Sequence, residues 1–443
     1  MSSGRRLLIL LAVCSLVAIP AGVLRATCAA RTCDQGEDVR ARVPFCPLPA
    51  DLKSLIASGF LAGRSPDVVG VGATPVAGGG GEASTPWPGT NPVPDTRVPL
   101  AFLGTGVDPS VALPQKLTLD RVAPTLAEIL GFRREHPEVR SGLSITGLAD
   151  GDRPRLVLEL VWTGGGTPEL QADAAASNAW RRLTSTDAVA STQASTGSLP
   201  LDPVAVLTTI GTGGPPSEHG ITGALIRDDE GRLVVPWSAG TPASVSAMSS
   251  VIATLPDDLA NDDAATKVGA VLPERADLGI VGGTWYGVGS TVDLTIERRH
   301  PDRAVTAMLD AGYGADATPD VLAVVVGGPA AAFARALDTI VPAVRRAVPA
   351  TTIVVAATGA RAPEGALAAS AVAQRVDASV RSSEPVVEAT VPGGLFLDQD
   401  VLAADGLSSG DAVEPMLGLR DQEGRKVFTD AFPGFAVSFA RYC

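Results

Sequence analysis

Runs of β-branched and aliphatic residues alternate along this chain with apolar residues at helical spacing. RLVLELVW (155–162), VLAVVVGG (321–328) and TTIVVAATG (351–359) are apolar at nearly every position, the pattern of strands covered on both faces of a parallel sheet. Between the last two lies AAAFARALDTIVPAVRRAV (330–348), whose apolar positions recur every three or four residues. Strand, helix and strand in that order predict a right-handed crossover unit. The whole therefore reads as a layered α/β sandwich, with a mostly parallel central sheet and helices on both faces. Two stretches interrupt the pattern: GGGGEASTPWPGTNPVPD from Gly78 to Asp95, and the Ser, Thr and Ala-rich segment from Thr184 to Ser198. Both read as surface loops.

The start of the sequence adds a destination. MSSGRR is basic and leads into an apolar run from Leu7 to Leu24, broken by Ser15, Pro20 and Gly22. This is an export signal, and residues 1–27 read either as a cleaved signal peptide or as a retained anchor. Cleavage near Thr27, Cys28 and Ala29 leaves three cysteines, whereas retention leaves Cys28, Cys33, Cys46 and Cys443. An even count suits an oxidising compartment and favours retention, with contact to the membrane through this segment. Cys14 lies inside the apolar run and reads as a lipid-facing or packing residue rather than a lipidation site. Residues 28–50 are then an extracytoplasmic lead-in. Charge narrows the partners: 48 acidic against 35 basic residues give a net charge of −13, which repels a phosphate backbone and argues against nucleic acid. The pairs Arg133–Arg134, Arg181–Arg182 and Arg345–Arg346 read as solvated helix faces.

Several segments resemble the alkaline phosphatase superfamily, in particular its nucleotide pyrophosphatase and phosphodiesterase branch. RVPLAFLGTGVDPSVALPQKLTLDRVAPTLAEILGF (97–132) is similar to the stretch that closes that domain, with Val122, Ala123, Pro124 and Thr125 in its Asp-x-x-Pro-Thr element and a helix expected to end near Gly131. Arg121 stands where the Asp is usual. RPRLVLELVWTGGG, from Arg153, resembles the first strand. TTIGTGGPPSEHGITG (208–223) resembles the Thr-Gly-x-x-Pro-x-x-His-Gly-Ile signature. Because the closing stretch precedes the opening strand, the resemblance implies a circular permutation of a single domain over residues 51–443, with ADGDRPR (149–155) joining the former ends. The new ends then fall near Cys46 and Cys443, and a disulfide between them would contribute about 3 to 5 kcal/mol. The other pairings of the four cysteines stay open.

The resemblance also says where chemistry belongs. Active members hold two divalent metals with Asp and His side chains at strand ends and place a Ser or Thr nucleophile between them, so that both oxygens of a phosphoryl transfer are clamped. Carried over by position, the ligand after the first strand is Thr163, the next fall at Gly327, Gly328 and beyond, and the Asp-His pair is Ala357 and Thr358. The nucleophile falls within LDPVAV (201–206), which has neither Ser nor Thr. No metal, cofactor or catalytic residue is assigned. Of the three histidines, His219 belongs to the signature and reads as a packing and turn residue, and His136 and His300 precede prolines among arginines. Asp257, Asp258, Asp262 and Asp263, and likewise Asp398 and Asp400, lack calcium-loop spacing and read as solvated surface. GLSSG around Ser408 reads as a surface turn, and the glycine turn Val281–Gly283 is a weak hint of an anion site. Thr163, Gly164, Gly165, Ala357 and Thr358 are the candidate remnant of a cleft. The expected function is a non-catalytic homologue that binds or scaffolds an envelope protein or ligand. The alternative is a phosphoester or phosphodiester hydrolase with a rearranged metal site.

Overall fold

The computed structural model describes residues 44–78, 85–185, 187–237, 250–283, 285–286 and 292–443. The apolar run Leu7–Leu24, Cys14, Cys28, Cys33 and the lead-in before Pro44 lie outside them. Among the described residues no helix is long and apolar enough to cross a membrane.

In chain order the main strands are β1 (Val68–Gly72), β2 (Arg97–Gly104), β3 (Leu156–Trp162), β4 (Ala188–Ser195), β5 (Val268–Leu272), β6 (Val292–Ile296), β7 (Asp320–Val326), β8 (Thr351–Ala357), β9 (Val387–Val391), β10 (Gly394–Leu397) and β11 (Phe428–Pro433). The main helices are α1 (Ala50–Ser58), α2 (Val122–Ile129), α3 (Ala174–Thr184), α4 (Pro203–Thr212), α5 (Leu255–Asp262), α6 (Pro301–Asp310) and α7 (Ala330–Ala347).

Seven strands form the central sheet in the order β4-β2-β8-β3-β7-β5-β6. β8, β3, β7, β5 and β6 are mutually parallel, and β2 runs antiparallel to both of its neighbours, β8 and β4. Every residue of β3, β7 and β8 is buried, so both faces of the sheet are covered, as their unbroken apolar runs require. On one face Trp162 of β3 stacks on Phe333 of α7, with ring centroids 5.0 Å apart. α7 also packs on α3 and α6, while α2, α4 and α5 form a second helical group. The crossover from β7 through α7 returns to β8, one strand beyond its neighbour, because β3 lies between them.

Local signals fix the helix ends. Asp202 caps α4 by accepting from the Val204 amide, Pro203 opens the first turn, and Gly213 ends it in the left-handed conformation at φ 80°. α2 stops where expected: the Gly131 and Phe132 amides return to the Glu128 and Ala127 carbonyls, with Gly131 at φ 59°.

Two of the loop expectations are corrected. Within Thr184–Ser198, residues 188–195 form β4, an edge strand antiparallel to β2. Edge pairing asks for backbone groups and one apolar face, and Val189 and Ala194 are the only buried residues this strand needs to contribute. In Gly78–Asp95, of which residues 79–84 lie outside the described residues, Trp87 is buried and its indole donates to the Gly78 carbonyl. Residues 85–88 are thus part of the core.

A second, four-stranded antiparallel sheet has the order β9-β10-β1-β11. Its core, which includes Val68, Trp87, Val372, Leu395, Met416 and Phe428, is separate from that of the large sheet. A third cluster joins Phe45, Leu52 and Ile56 to Phe432 and Val437. β1 lies between strands that follow it by more than 300 positions, and beside this cluster Cys46 and Cys443 form a disulfide with Cα atoms 5.1 Å apart. Of the pairings left open by the sequence, this one is made.

Candidate functional site

In open α/β sheets, ligands enter the crevice outside the carboxyl ends of parallel strands. Here that crevice has a filled part and an open part.

The filled part contains the residues expected from the resemblance, Thr163, Gly164, Gly165, Ala357 and Thr358. The Thr163 amide donates to the Val326 carbonyl at 3.0 Å, and the Thr358 amide donates to the Trp162 carbonyl, also at 3.0 Å. The ends of β7, β3 and β8 are therefore zipped together past their last strand residues, which brings Thr163 and Thr358 alongside each other. The Trp162 indole donates to the Gly328 carbonyl at 2.9 Å. A β-carbon on Gly164 would overlap that carbonyl oxygen, one on Gly165 would strike the Trp162 ring, and one on Gly166 would press on the Arg97 carbonyl. These glycines are set by protein packing rather than by the approach of a ligand. Gly164, Gly165, Ala357 and Thr358 are buried, and Thr163 is half-buried. Beside them, both oxygens of Glu169 accept backbone amides, from Gly166 at 2.8 Å and Arg361 at 2.9 Å. Burial, and then the Glu169 charge, raises the Asp95 carboxyl.

The open part is a groove of about 810 Å³ past the ends of β5, β6 and β7, lined by Glu274, Arg298, His300, Gly328 and Arg335 among others. Arg298 pairs with Glu274 at 2.7 Å. Glu297 accepts the Arg299 and His300 amides, and those bonds hold its carboxyl low. Three arginines face Glu274, Glu297 and Asp302 around this groove, so its fixed charges balance. Gly327, Gly328 and His300 are in its lining, but the charged residues around them are scattered over three strand ends and α7 and carry no motif.

Elsewhere the polar candidates serve the fold. Asp257 and Asp258 are not solvated surface: they are 3% and 2% exposed. Thr254 and Asp257 cap α5 reciprocally, and Asp257 also accepts the Gly283 amide at 2.7 Å. The glycine turn that hinted at an anion site is thus already answered by an internal carboxylate. Asp258 takes Arg134 at 2.6 Å and the Tyr286 hydroxyl at 2.7 Å, with Arg140 at 3.5 Å. Arg134, expected on a solvated face, is 7% exposed, and its other nitrogens donate to the Thr212 and Ala253 carbonyls. Burial lowers its guanidinium to about 10 even with Asp258 beside it. A buried carboxylate requires such partners. Asp262 and Asp263 are exposed, as are Arg181, Arg182, Arg345 and Arg346.

His219 is fully buried, with Nδ1 accepting the Ile221 amide and Nε2 3.1 Å from the Thr209 hydroxyl. Burial lowers it to about 3, so the imidazole stays neutral and closes the turn. His136 and His300 are exposed. Ser408 donates to Asp411 in the first turn of a short 3-10 helix, and Asp398 caps the helix that follows it. Glu159, in the middle of β3, is 2% exposed, and its Oε2 has no hydrogen-bond partner. Burial raises its carboxyl to about 8. Among the described residues, no three His, Cys, Asp or Glu side chains are grouped to hold a metal ion.

No known protein family, curated protein or solved structure matches the chain.

Proposed function

We propose that this chain is an exported, non-catalytic relative of the alkaline phosphatases that acts by binding or scaffolding in the cell envelope. The observation that carries the reading is the state of the strand ends. Where active members of that superfamily hold two metals, this chain has Thr163, Gly164, Gly165, Gly328, Ala357 and Thr358, with the Trp162 indole bonded to the Gly328 carbonyl and Gly164, Gly165 and Gly166 in close contact with neighbouring backbone and the Trp162 ring. None of those side chains is a carboxylate or an imidazole.

A circularly permuted domain accounts for the order of the segments. The 97–132 element meets β3 through an exposed connection at residues 150–153, while β1 and β11, from distant parts of the sequence, lie side by side. The Cys46–Cys443 disulfide would stabilise such an arrangement and suits an oxidising compartment.

Hydrolysis assays test the reading. The purified chain is incubated with a phosphomonoester and a phosphodiester in the presence of zinc, manganese or calcium. No turnover above the metal-only control is expected, and metal-dependent turnover that is lost on single substitutions would overturn the proposal. One observation favours looking for a rearranged site: Asp95 and Glu169 are the carboxylates beside the filled strand ends. If a hydrolase persists, D95N and E169Q each abolish its turnover.

A further inference from the structure

We propose that the aromatic face of the 3-10 helix Gly434–Tyr442 rests on the membrane from which the N-terminal segment projects. The proposal deepens the envelope reading, since it relies on Leu7–Leu24 being a membrane segment.

Among the described residues, the exposed large aromatic side chains are Phe435, Phe439 and Tyr442, at 63%, 43% and 55% exposure. All three lie on this one nine-residue helix. The other exposed large hydrophobic residues are aliphatic and scattered over distant segments, as isolated ones usually are. In the same helix Ala436 and Val437 are buried against Phe45, Leu52, Ile56 and Phe432, while Phe435, Phe439 and Tyr442 remain exposed. The aromatic side is therefore outward by construction of the fold.

Its chemistry fits an interface between lipid and water. The Phe439 and Tyr442 rings are 6.2 Å apart, and the Arg441 guanidinium lies 4.8 Å from the Tyr442 ring. Tyrosine places its ring at headgroup level, and arginine buries its stem while keeping its charge among the headgroups.

The place where the chain leaves the body specifies the occupant. Cys443, next to Tyr442, is bonded to Cys46, so this helix sits at the point where the chain comes in from residues 1–43. Nineteen residues, 25–43, separate Leu24 from Pro44 and span at most about 65 Å when extended. A body tethered that closely meets the bilayer repeatedly, and this helix lies beside the tether's point of attachment.

The test uses the full chain with benzoylphenylalanine at position 439 or, as the control, at the exposed edge-strand residue Ile296. Each variant is placed in vesicles of phosphatidylcholine and phosphatidylglycerol, illuminated and weighed by mass spectrometry. A lipid adduct several-fold more abundant at 439 than at 296 is expected, and it should fall again when Phe435 and Tyr442 are both changed to Ser. Equal adducts, no adduct, or an adduct to a second copy of the chain would overturn the proposal. Intact mass judges the anchor reading separately, because loss of residues 1–27 contradicts retention whatever the crosslink shows. If the segment has been removed, the same vesicles added to the mature chain still decide whether this face binds lipid.

Discussion

The two sheets reach stability by different routes. The seven-stranded sheet is built from strands such as β3, β7 and β8 that are buried at every position and flanked by helices. Non-directional burial of aliphatic surface suffices to hold it. The four-stranded sheet has a small core, and β1 must find β10 and β11 across more than 300 intervening residues. Closing so long a loop costs entropy that a small core offsets poorly. A covalent bond and an ionic clamp supply the difference. Arg227, on the short hairpin in which Ile226–Arg227 pairs with Leu233–Val234, reaches Asp67 at 3.0 Å, Glu388 at 3.2 Å and the Leu397 carbonyl at 2.6 Å. It holds together the residue before β1, a residue of β9 and the end of β10.

The comparison is broken most strongly at the disulfide. Cys46 and Cys443 are 397 positions apart, so their bond lies at the upper end of the stabilisation a disulfide gives, about 3 to 5 kcal/mol. Replacing both with Ser should raise amide exchange in β1, β10 and β11 well before it changes β3 or β7. Uniform loss of protection in both sheets would show that the two are one cooperative unit.

Glu159 tests the large sheet. Its folded value of about 8 lies above that of an unfolded glutamate. The proton is held more tightly in the folded state, so stability is highest at acid pH, declines as pH rises from about 4.5 to 8, and is level above that. E159Q should remove the decline and be on the order of 3 to 5 kcal/mol more stable than the parent at pH 9, with little difference at pH 4.5. Denaturant unfolding at the two pH values reads this, and parallel curves for both proteins would contradict it.

Arg227→Ala leaves Asp67 partly buried without its cation and should cost about 3 kcal/mol, seen first as exchange in β1 and β10. The smallest effect is expected at the filled crevice. Gly164→Ala drives a methyl into the Gly328 carbonyl and should cost about 1 to 3 kcal/mol by overpacking. A neutral outcome there would mean that the turn is looser than its contacts indicate.

What the sequence disclosed follows the same division. β3, β7, β8 and α7 are readable because burial on both faces, or on one stripe, leaves a pattern in consecutive residues. β4 is not, since an edge strand with one β-branched aliphatic residue, Val189, among Ala, Ser, Thr and Gln is stabilised by its pairing with β2 rather than by its own composition. The small sheet escapes for a different reason: β1 and β10 are short and glycine-containing, and their partners are far away in sequence. Asp257, Asp258 and Arg134 look like surface because charged letters carry no sign of the caps and carbonyls that satisfy them. Thr163, Gly164, Gly165, Ala357 and Thr358 could be placed at strand ends because the apolar runs before them are legible as strands. That Trp162 and Gly328 close over them is a matter of side-chain packing, which spacing does not encode.

The central claim is that the ends of β3 and β8 are packed shut, at the positions where the alkaline phosphatases proposed as relatives hold their metals. Elemental analysis of the purified chain after exposure to zinc, manganese and calcium, followed by desalting, tests it most directly. The account predicts well under one equivalent of any of the three, unchanged by substitution at Asp95 or Glu169. Two equivalents that survive desalting and are lost in D95N or E169Q would contradict it.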